Sequence, residues 1–258
     1  AYLLLIVLFI KRPEDATYVN FLFGITALIV YTVSWIIIYK KEKIKWVWVS
    51  IHNIKKRFVE NFQFFISSIA GHVSIHGGLI ILSNFVNNSV LGEFALAQKI
   101  ALLMRMVPVF FTQAILQKAS ILFKSDKAEF KRYVNLIFII GLSITFAMGL
   151  IAVIFSKWII FLLAGSQVLY SETILKILAF IPFMSMLNFN NMIKILVDEK
   201  KHLLTKATWL TAIVMLILAT IGGYYYGGYG LSIALVITEI VSFIVHSVLL
   251  TKNKHERA

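Results

Sequence analysis

Two charged side chains of this 258-residue sequence stand where a charge is costly. Arg105 falls in the middle of the apolar run 90–116, and Glu239 at the midpoint of the run 229–250. At the centre of a bilayer an ionised side chain costs about 2.5–3.5 kcal/mol on insertion scales, so such a residue turns to a cavity or a partner. Ser232, Glu239 and His246 are spaced by seven and share one helical face, with Ser242 beside them. An acid that alternates there between a neutral and an ion-paired form is what a proton- or cation-coupled carrier requires. Glu239 and His246 are therefore the candidate ion-coupling residues; the competing role for Glu239 is a structural hydrogen bond between helices. Gln98, Arg105 and Thr112 also repeat at seven, and Pro108 predicts a bend that frees backbone carbonyls. The planar fork of a buried arginine binds phosphate oxygens in pairs. Its alternative is a pairing with Glu239, or another acid, that holds helices together.

A third stripe is Lys176, Phe183, Asn190 and Lys194 in the run 172–197, with Pro182 as an expected kink and Asn188 and Asn191 adjacent. Both lysines lie near the ends of the run, where snorkelling accounts for them, whereas the asparagines demand partners. Lys99 lies nearer the outer end of its run and on a different face from Arg105. The candidate substrate-binding set is Arg105, Lys99, Gln98, Asn190 and Lys176. Ser68, His72 and His76 share a face of the run 62–86, beside Gly71, Gly77 and Gly78. Two histidines at that spacing can ligate a metal, but no third ligand is evident. Interhelical hydrogen bonding is the expected role, and neither metal nor cofactor is expected. Asp198 and Glu199 read as a solvated acidic pair. No G-x-x-x-x-G-K-[ST] loop occurs, so the chain does not hydrolyse ATP through a P-loop.

The elements that must position these residues follow from composition. Hydrophobic residues make up 60% of the chain and charged ones 14%, and the mean hydropathy is +0.87. A soluble surface needs nearer a quarter charged. The apolar residues gather into runs at 18–39, 62–86, 90–116, 133–155, 172–197, 203–226 and 229–250. Each is long enough for a helix crossing a hydrocarbon core, which takes about 20 residues. They are apolar all round, not alternating, which excludes barrel strands. The segment 1–10 is apolar but about half the required length, and reads as the stump of a helix cut from a larger protein. The expectation is an all-α, polytopic, multi-pass membrane bundle of seven complete helices.

Charge placement sets the orientation. Lys40, Lys41, Lys43, Lys45, Lys55, Lys56 and Arg57 follow the first run; Lys118, Lys124, Lys127, Lys131 and Arg132 follow the third. Lys200, Lys201 and Lys206 come two connections later, and Lys252, Lys254 and Arg257 occupy the tail. The opposite side has Lys11, Arg12 and Lys157. Alternate connections are thus basic, which places them in the cytoplasm. The net charge of +13 is a topology and anionic-lipid signal, not a nucleic-acid footprint. Domain limits follow: 1–39 ends one lobe, 40–60 is a connector, 61–250 is a six-helix lobe and 251–258 a cytoplasmic tail. In the connector, Ile44, Val47, Trp48, Ile51, Lys55 and Phe58 keep helical spacing, which suits a helix lying among lipid headgroups or an ordinary basic loop.

Three stretches carry a resemblance. NSVLGEFALAQKI at 88–100 resembles the G-x-(Y/F)-x-x-A-x-K signature of bacterial polysaccharide-biosynthesis flippases. The stretch 163–182, with Tyr170 and LKILAFIP, and GGYGLSIALVITE at 227–239 are similar to later helix starts of that family. These are the Wzx-type transporters of the MOP superfamily, which also contains the MATE drug exporters. The resemblance implies a MOP/MATE-like six-helix lobe preceded by the end of a first lobe. It implies alternating-access flipping of an undecaprenyl-diphosphate-linked oligosaccharide across the bacterial cytoplasmic (inner) membrane, in O-antigen, lipopolysaccharide or exopolysaccharide synthesis. Its partners would be that lipid-linked oligosaccharide, a proton or sodium ion and membrane lipids, with no nucleic acid and no enzymatic step. Of the named residues, Lys99 alone falls on a signature position. One rival is a MATE-like multidrug or cation antiporter, whose cavity should be acidic. Another is a membrane O-antigen polymerase or glycosyltransferase, which would need a large outward loop.

Overall fold

The computed structural model describes residues 2–42 and 48–255, all of it helix and connections, with no strand among them. Among the described residues six helices are long and apolar enough to cross a membrane: Val19–Lys41, Phe65–Leu82, Asn88–Ser125, Lys127–Ile154, Leu169–Leu187 and His202–Lys252. The protein is an all-α polytopic bundle. The chain divides into two compact units, 1–57 and 58–258.

In the first unit, α1 (Tyr2–Phe9) leads through a 3-10 turn (Pro13–Tyr18) to α2 (Val19–Lys41). The Asp15 carboxylate accepts from the backbone N–H groups of Lys11 and Arg12 at 3.1 and 2.9 Å, which closes that turn. Tyr2 meets Phe23 edge-on, with ring centres 5.4 Å apart. Thr26 alone is buried on α2. An apolar helix so exposed has lipid as its natural surroundings.

The second unit holds most of α3 (Ile51–Leu82), then α4 (Asn88–Ser125), α5 (Lys127–Ile154), α6 (Ser156–Ala164), α7 (Leu169–Leu178), α8 (Ile181–Leu187), α9 (Phe189–Val197) and α10 (Lys201–His255). Caps punctuate it. The Asn87 side chain accepts from Val90 N–H at 2.9 Å, and Asp126 from Ala128 and Glu129 N–H at 2.8 and 3.0 Å. Gly165, with φ +69°, ends α6 in the left-handed conformation that glycine tolerates.

The structure bears on three expectations. The connector's residues 43–47 lie outside the described residues, but 51–60 form the first turns of α3, continuous with the spanning stretch. The run 172–197 is not one helix but α7, α8 and α9. Pro182 lacks the N–H that would bond back four residues, and its ring opposes a continuous turn, so the chain restarts as α8 with proline in its first turn. The runs 203–226 and 229–250 are two helical segments of α10 joined at a non-helical residue; a straight helix of that length would be about 80 Å long. It is bent at Gly227, where φ is 57° and ψ −136°. Gly222 and Gly230 would stand about 12 Å apart on a straight helix. Instead their backbones touch: a Cβ on Gly222 would lie 2.6 Å from the Gly230 carbonyl oxygen. The two arms double back, and the last two apolar runs are those arms.

Two apolar cores hold the second unit. One gathers Leu82, Phe94, Ala97, Ala101, Leu175, Leu178, Met215, Leu231 and Leu235. The other gathers Ile115, Ala119, Leu122, Phe130, Met186, Phe189 and Ile193. On α4 the stretch 105–112, which carries Arg105 and Thr112, falls between them.

Candidate functional site

Between the two cores, α3, α4, α8, α9 and both arms of α10 line a cavity of about 530 Å³. Its walls are mainly apolar, with Leu102, Met106, Val109, Phe189, Met192 and Leu204. Arg105, Gln113, Asn188, Thr208, Glu239 and His246 supply the polar groups. A recess of about 40 Å³ shares Arg105, Glu239 and Ser242 with the larger space and adds Gln98 and Thr238.

The two mid-span charges meet. Arg105 Nη2 lies 2.6 Å from Glu239 Oε1, with the side chains 25% and 11% exposed. Each removes from the other the cost of an isolated ion in the bilayer interior, which is why both can be retained. The guanidinium has donors beyond the one given to Glu239, and they stand on the cavity wall. Gln98 is buried and donates to the Ile75 carbonyl of α3 at 3.3 Å. Thr112 donates to the Pro108 carbonyl at 3.0 Å.

The second polar group surrounds the junction of α8 and α9. Asn188 is buried there, with its Nδ2 3.4 Å from Ser242 Oγ and 3.2 Å from His246 Nδ1. Asn191 donates to Ser247 Oγ at 2.8 Å and to Asn188 Oδ1 at 3.3 Å. These bonds tie the break in the broken helix to the second arm of α10.

The sequence-derived set is therefore divided. Arg105, Gln98, Glu239 and His246 come together around the cavity and its recess. Lys99 lies apart, on a groove of about 410 Å³ formed with His76, Leu102, Leu103 and Met106. Lys176 is exposed on α7 and lines neither space. Asn190 turns to α5, where its Nδ2 lies 3.4 Å from Asn135 Oδ1. Asn188 takes the place expected of Asn190, because the break after Leu187 resets the helical phase. His72 and His76 stack with centres 6.1 Å apart, and no group of three potential metal ligands occurs among the described residues. Asp198 pairs with Lys200 at 2.7 Å. Thr208, Thr211 and Ser74 on the walls were not singled out in the sequence; hydroxyl residues on apolar helices give no charge signal.

At the far end of the unit, Tyr170 fastens the bend of α10. Its hydroxyl accepts from Gly228 N–H at 2.9 Å, and its ring meets Tyr229 edge-on. Ser171 donates to the Glu93 carbonyl at 2.8 Å.

Residues 1–116 match the family described as polysaccharide biosynthesis protein. The match takes in Gln98, Lys99 and Arg105 and stops before the Glu239 arm. No curated protein and no solved structure matches the chain.

Proposed function

We propose that the chain belongs to a transporter that flips a lipid-diphosphate-linked oligosaccharide across a bacterial cytoplasmic membrane by alternating access, coupled to a proton or sodium gradient. The observation that carries this reading is the Arg105–Glu239 pair on the wall of a cavity among membrane-length helices. The family match over 1–116 adds polysaccharide biosynthesis as the context. A diphosphate must leave water to cross, and guanidinium hydrogen bonds offset part of that cost. Glu239 occupies Arg105 while the cavity holds no anion. A coupling ion held at Glu239 would leave Arg105 to the phosphate. In this reading the chain is not an enzyme: nothing is made or broken in the lipid, and Arg105 and Glu239 exchange partners only. Lys99, on its separate groove, is outside the proposed phosphate contact.

The test uses the intact protein in liposomes, with a lipid-linked oligosaccharide as substrate and a cationic drug as control. Wild type should move the lipid and not the drug. Arg105→Lys keeps the charge but loses the fork, so flipping should fall, and Arg105→Ala should reduce it further. Drug movement without lipid movement would instead establish the antiporter reading. Equal flipping by all three proteins would remove Arg105 from the mechanism.

A further inference from the structure

The turn between α4 and α5 gathers cations that the protein leaves unpaired. Lys118 and Lys124 lie in the last turns of α4, and Lys127, Lys131 and Arg132 open α5; all five are exposed. Among the described residues none of them is in an ion pair. Two carboxylates belong to the same turn, yet they do not neutralise it. Asp126 spends its Oδ1 on the N–H groups of Ala128 and Glu129, at 2.8 and 3.0 Å, which leaves Glu129 against five positive charges. The Lys118 Nζ lies 4.6 Å from the centre of the Tyr133 ring, so the end of α4 and the start of α5 stand at one level. Phe123 meets Phe130 edge-on at 5.2 Å, and Leu122, Phe130 and Val134 are buried beneath. The cations are therefore displayed on a packed hairpin.

The depth of these groups and the surface beside them name the partner. From Tyr133 to Ile154 α5 rises about 33 Å, close to the roughly 30 Å of a hydrocarbon core. Lys131 and Arg132 therefore fall where headgroups begin. Lys127 lies about 7.5 Å further out, at the edge of a headgroup layer that is about 5–7 Å deep. Leu136 and Ile139 follow Arg132 by four and seven residues, on its face of the helix, and are 56% and 60% exposed. Ser143 and Phe146 continue that exposed stripe. An apolar face left open along a spanning helix meets acyl chains. A phospholipid answers to both parts, with an acyl chain for Leu136 and Ile139 and a phosphate for the cations above them. The guanidinium of Arg132 suits phosphate oxygens in pairs, and the lysines add point charges. A soluble phosphate compound has nothing to lay along the stripe, and an acidic protein would have to enter the headgroup layer to reach Arg132.

We propose that the α4–α5 hairpin is a docking site for an anionic phospholipid. Lys131 and Arg132 hold the phosphate, Lys118, Lys124 and Lys127 add attraction, and an acyl chain lies along Leu136 and Ile139. The site is separate from the cavity and does not depend on what the cavity carries. It fastens the end of α4, the helix of Arg105, to the membrane surface.

Fluorescence quenching of the protein in phosphatidylcholine liposomes tests it. The chain has no cysteine, so Leu136→Cys takes a single fluorophore on the stripe. Two quenchers are titrated, phosphatidylglycerol and phosphatidylcholine, each with a nitroxide near the top of one acyl chain. One basic residue near the surface favours an anionic lipid about fivefold at low salt. The phosphatidylglycerol quencher should therefore reach half its effect at a mole fraction about fivefold lower, or less. Adding Lys131→Gln and Arg132→Gln should remove about fivefold or more of that preference. Quenching by phosphatidylcholine should stay unchanged in this variant, which shows that it is folded and that the stripe is still open to lipid. Raising the salt to about 1 M, where the screening length is about 3 Å, should remove the preference with Lys131 and Arg132 in place. The proposal is overturned if the two lipids quench equally at low salt, or if the preference survives the double substitution or the salt. Quenching by neither lipid would show that protein, a second copy included, covers the stripe, and overturns it as well. So does displacement of phosphatidylglycerol by millimolar glycerol phosphate, which would make this a site for a soluble anion. Each of these results leaves the flippase reading standing.

Discussion

At the residue scale the Arg105–Glu239 pair sets the energetics of the site. Removing one member of such a pair leaves the other desolvated and unpartnered, which typically costs more than the pair contributes. Arg105→Ala should therefore destabilise the protein by about 3 kcal/mol, moderated by the cavity's own access to water. Adding Glu239→Gln should return more than half of that loss, since a neutral amide tolerates the same place. Thermal unfolding of the single and double variants in detergent would measure both; equal stability of the two would show that Glu239 finds another partner. Glu239→Gln alone should fold and insert, because Arg105 can still bond the amide oxygen, while gradient-driven transport is lost. Normal transport by that variant would make Glu239 structural. Both residues were legible in the sequence because a charge inside an apolar run is rare and expensive. Asn188 was harder to read, since an asparagine carries no charge and its direction depends on where the helix breaks.

At the element scale the informative failure is the broken helix, whereas the hairpin at Gly227 keeps the runs 203–226 and 229–250 as its two arms. The stripe Lys176, Phe183, Asn190, Lys194 assumed one continuous helical phase from 172 to 197, and the interruptions at Ala179–Phe180 and Asn188 removed it. Pro182 announced a kink, but hydropathy alone could not say that a second break would follow at Asn188, since the run stays apolar across it. Asn188 acts as a clasp at that break, bonded towards Ser242 and His246. Asn188→Ala should cost about 1–3 kcal/mol by leaving polar partners unpaired in the bundle. Asn190→Ala, whose Nδ2 is 3.4 Å from Asn135 Oδ1 on α5, should cost less. A reversed order of the two would contradict the clasp. In α10 the Gly-Gly spacing was visible, yet the closeness of the arms at Gly222 and Gly230 was not. Gly230→Ala forces a Cβ into the Gly222 carbonyl and should separate the arms, lowering the yield of folded protein far more than Gly24→Ala, where nothing stands near.

At the scale of the whole molecule the apolar runs foretold the class, because few soluble surfaces are so poor in charge. They did not foretell a cavity between two apolar cores, since three-dimensional adjacency of α4, α9 and α10 leaves no trace in any one run. Orientation in the membrane is a separate matter, carried by lysine and arginine placement. The ends of α4 and α5 meet at Ser125, Asp126 and Lys127, a turn that is exposed and basic, with Lys118 stacked over Tyr133 nearby at 4.6 Å. The C-terminal end of α10 carries Lys252 and Lys254 on the same side by helix count. A basic turn resists translocation, so both should lie in the cytoplasm. The chain has no cysteine, so a single introduced thiol reports on one position only. In intact cells, Ser125→Cys and Asn253→Cys should resist membrane-impermeant thiol reagents and react once the membrane is opened. Ser166→Cys, next to Gly165 on the opposite side, should react without opening. Labelling of Ser125→Cys from outside would invert the orientation, and with it the direction of the proposed flipping.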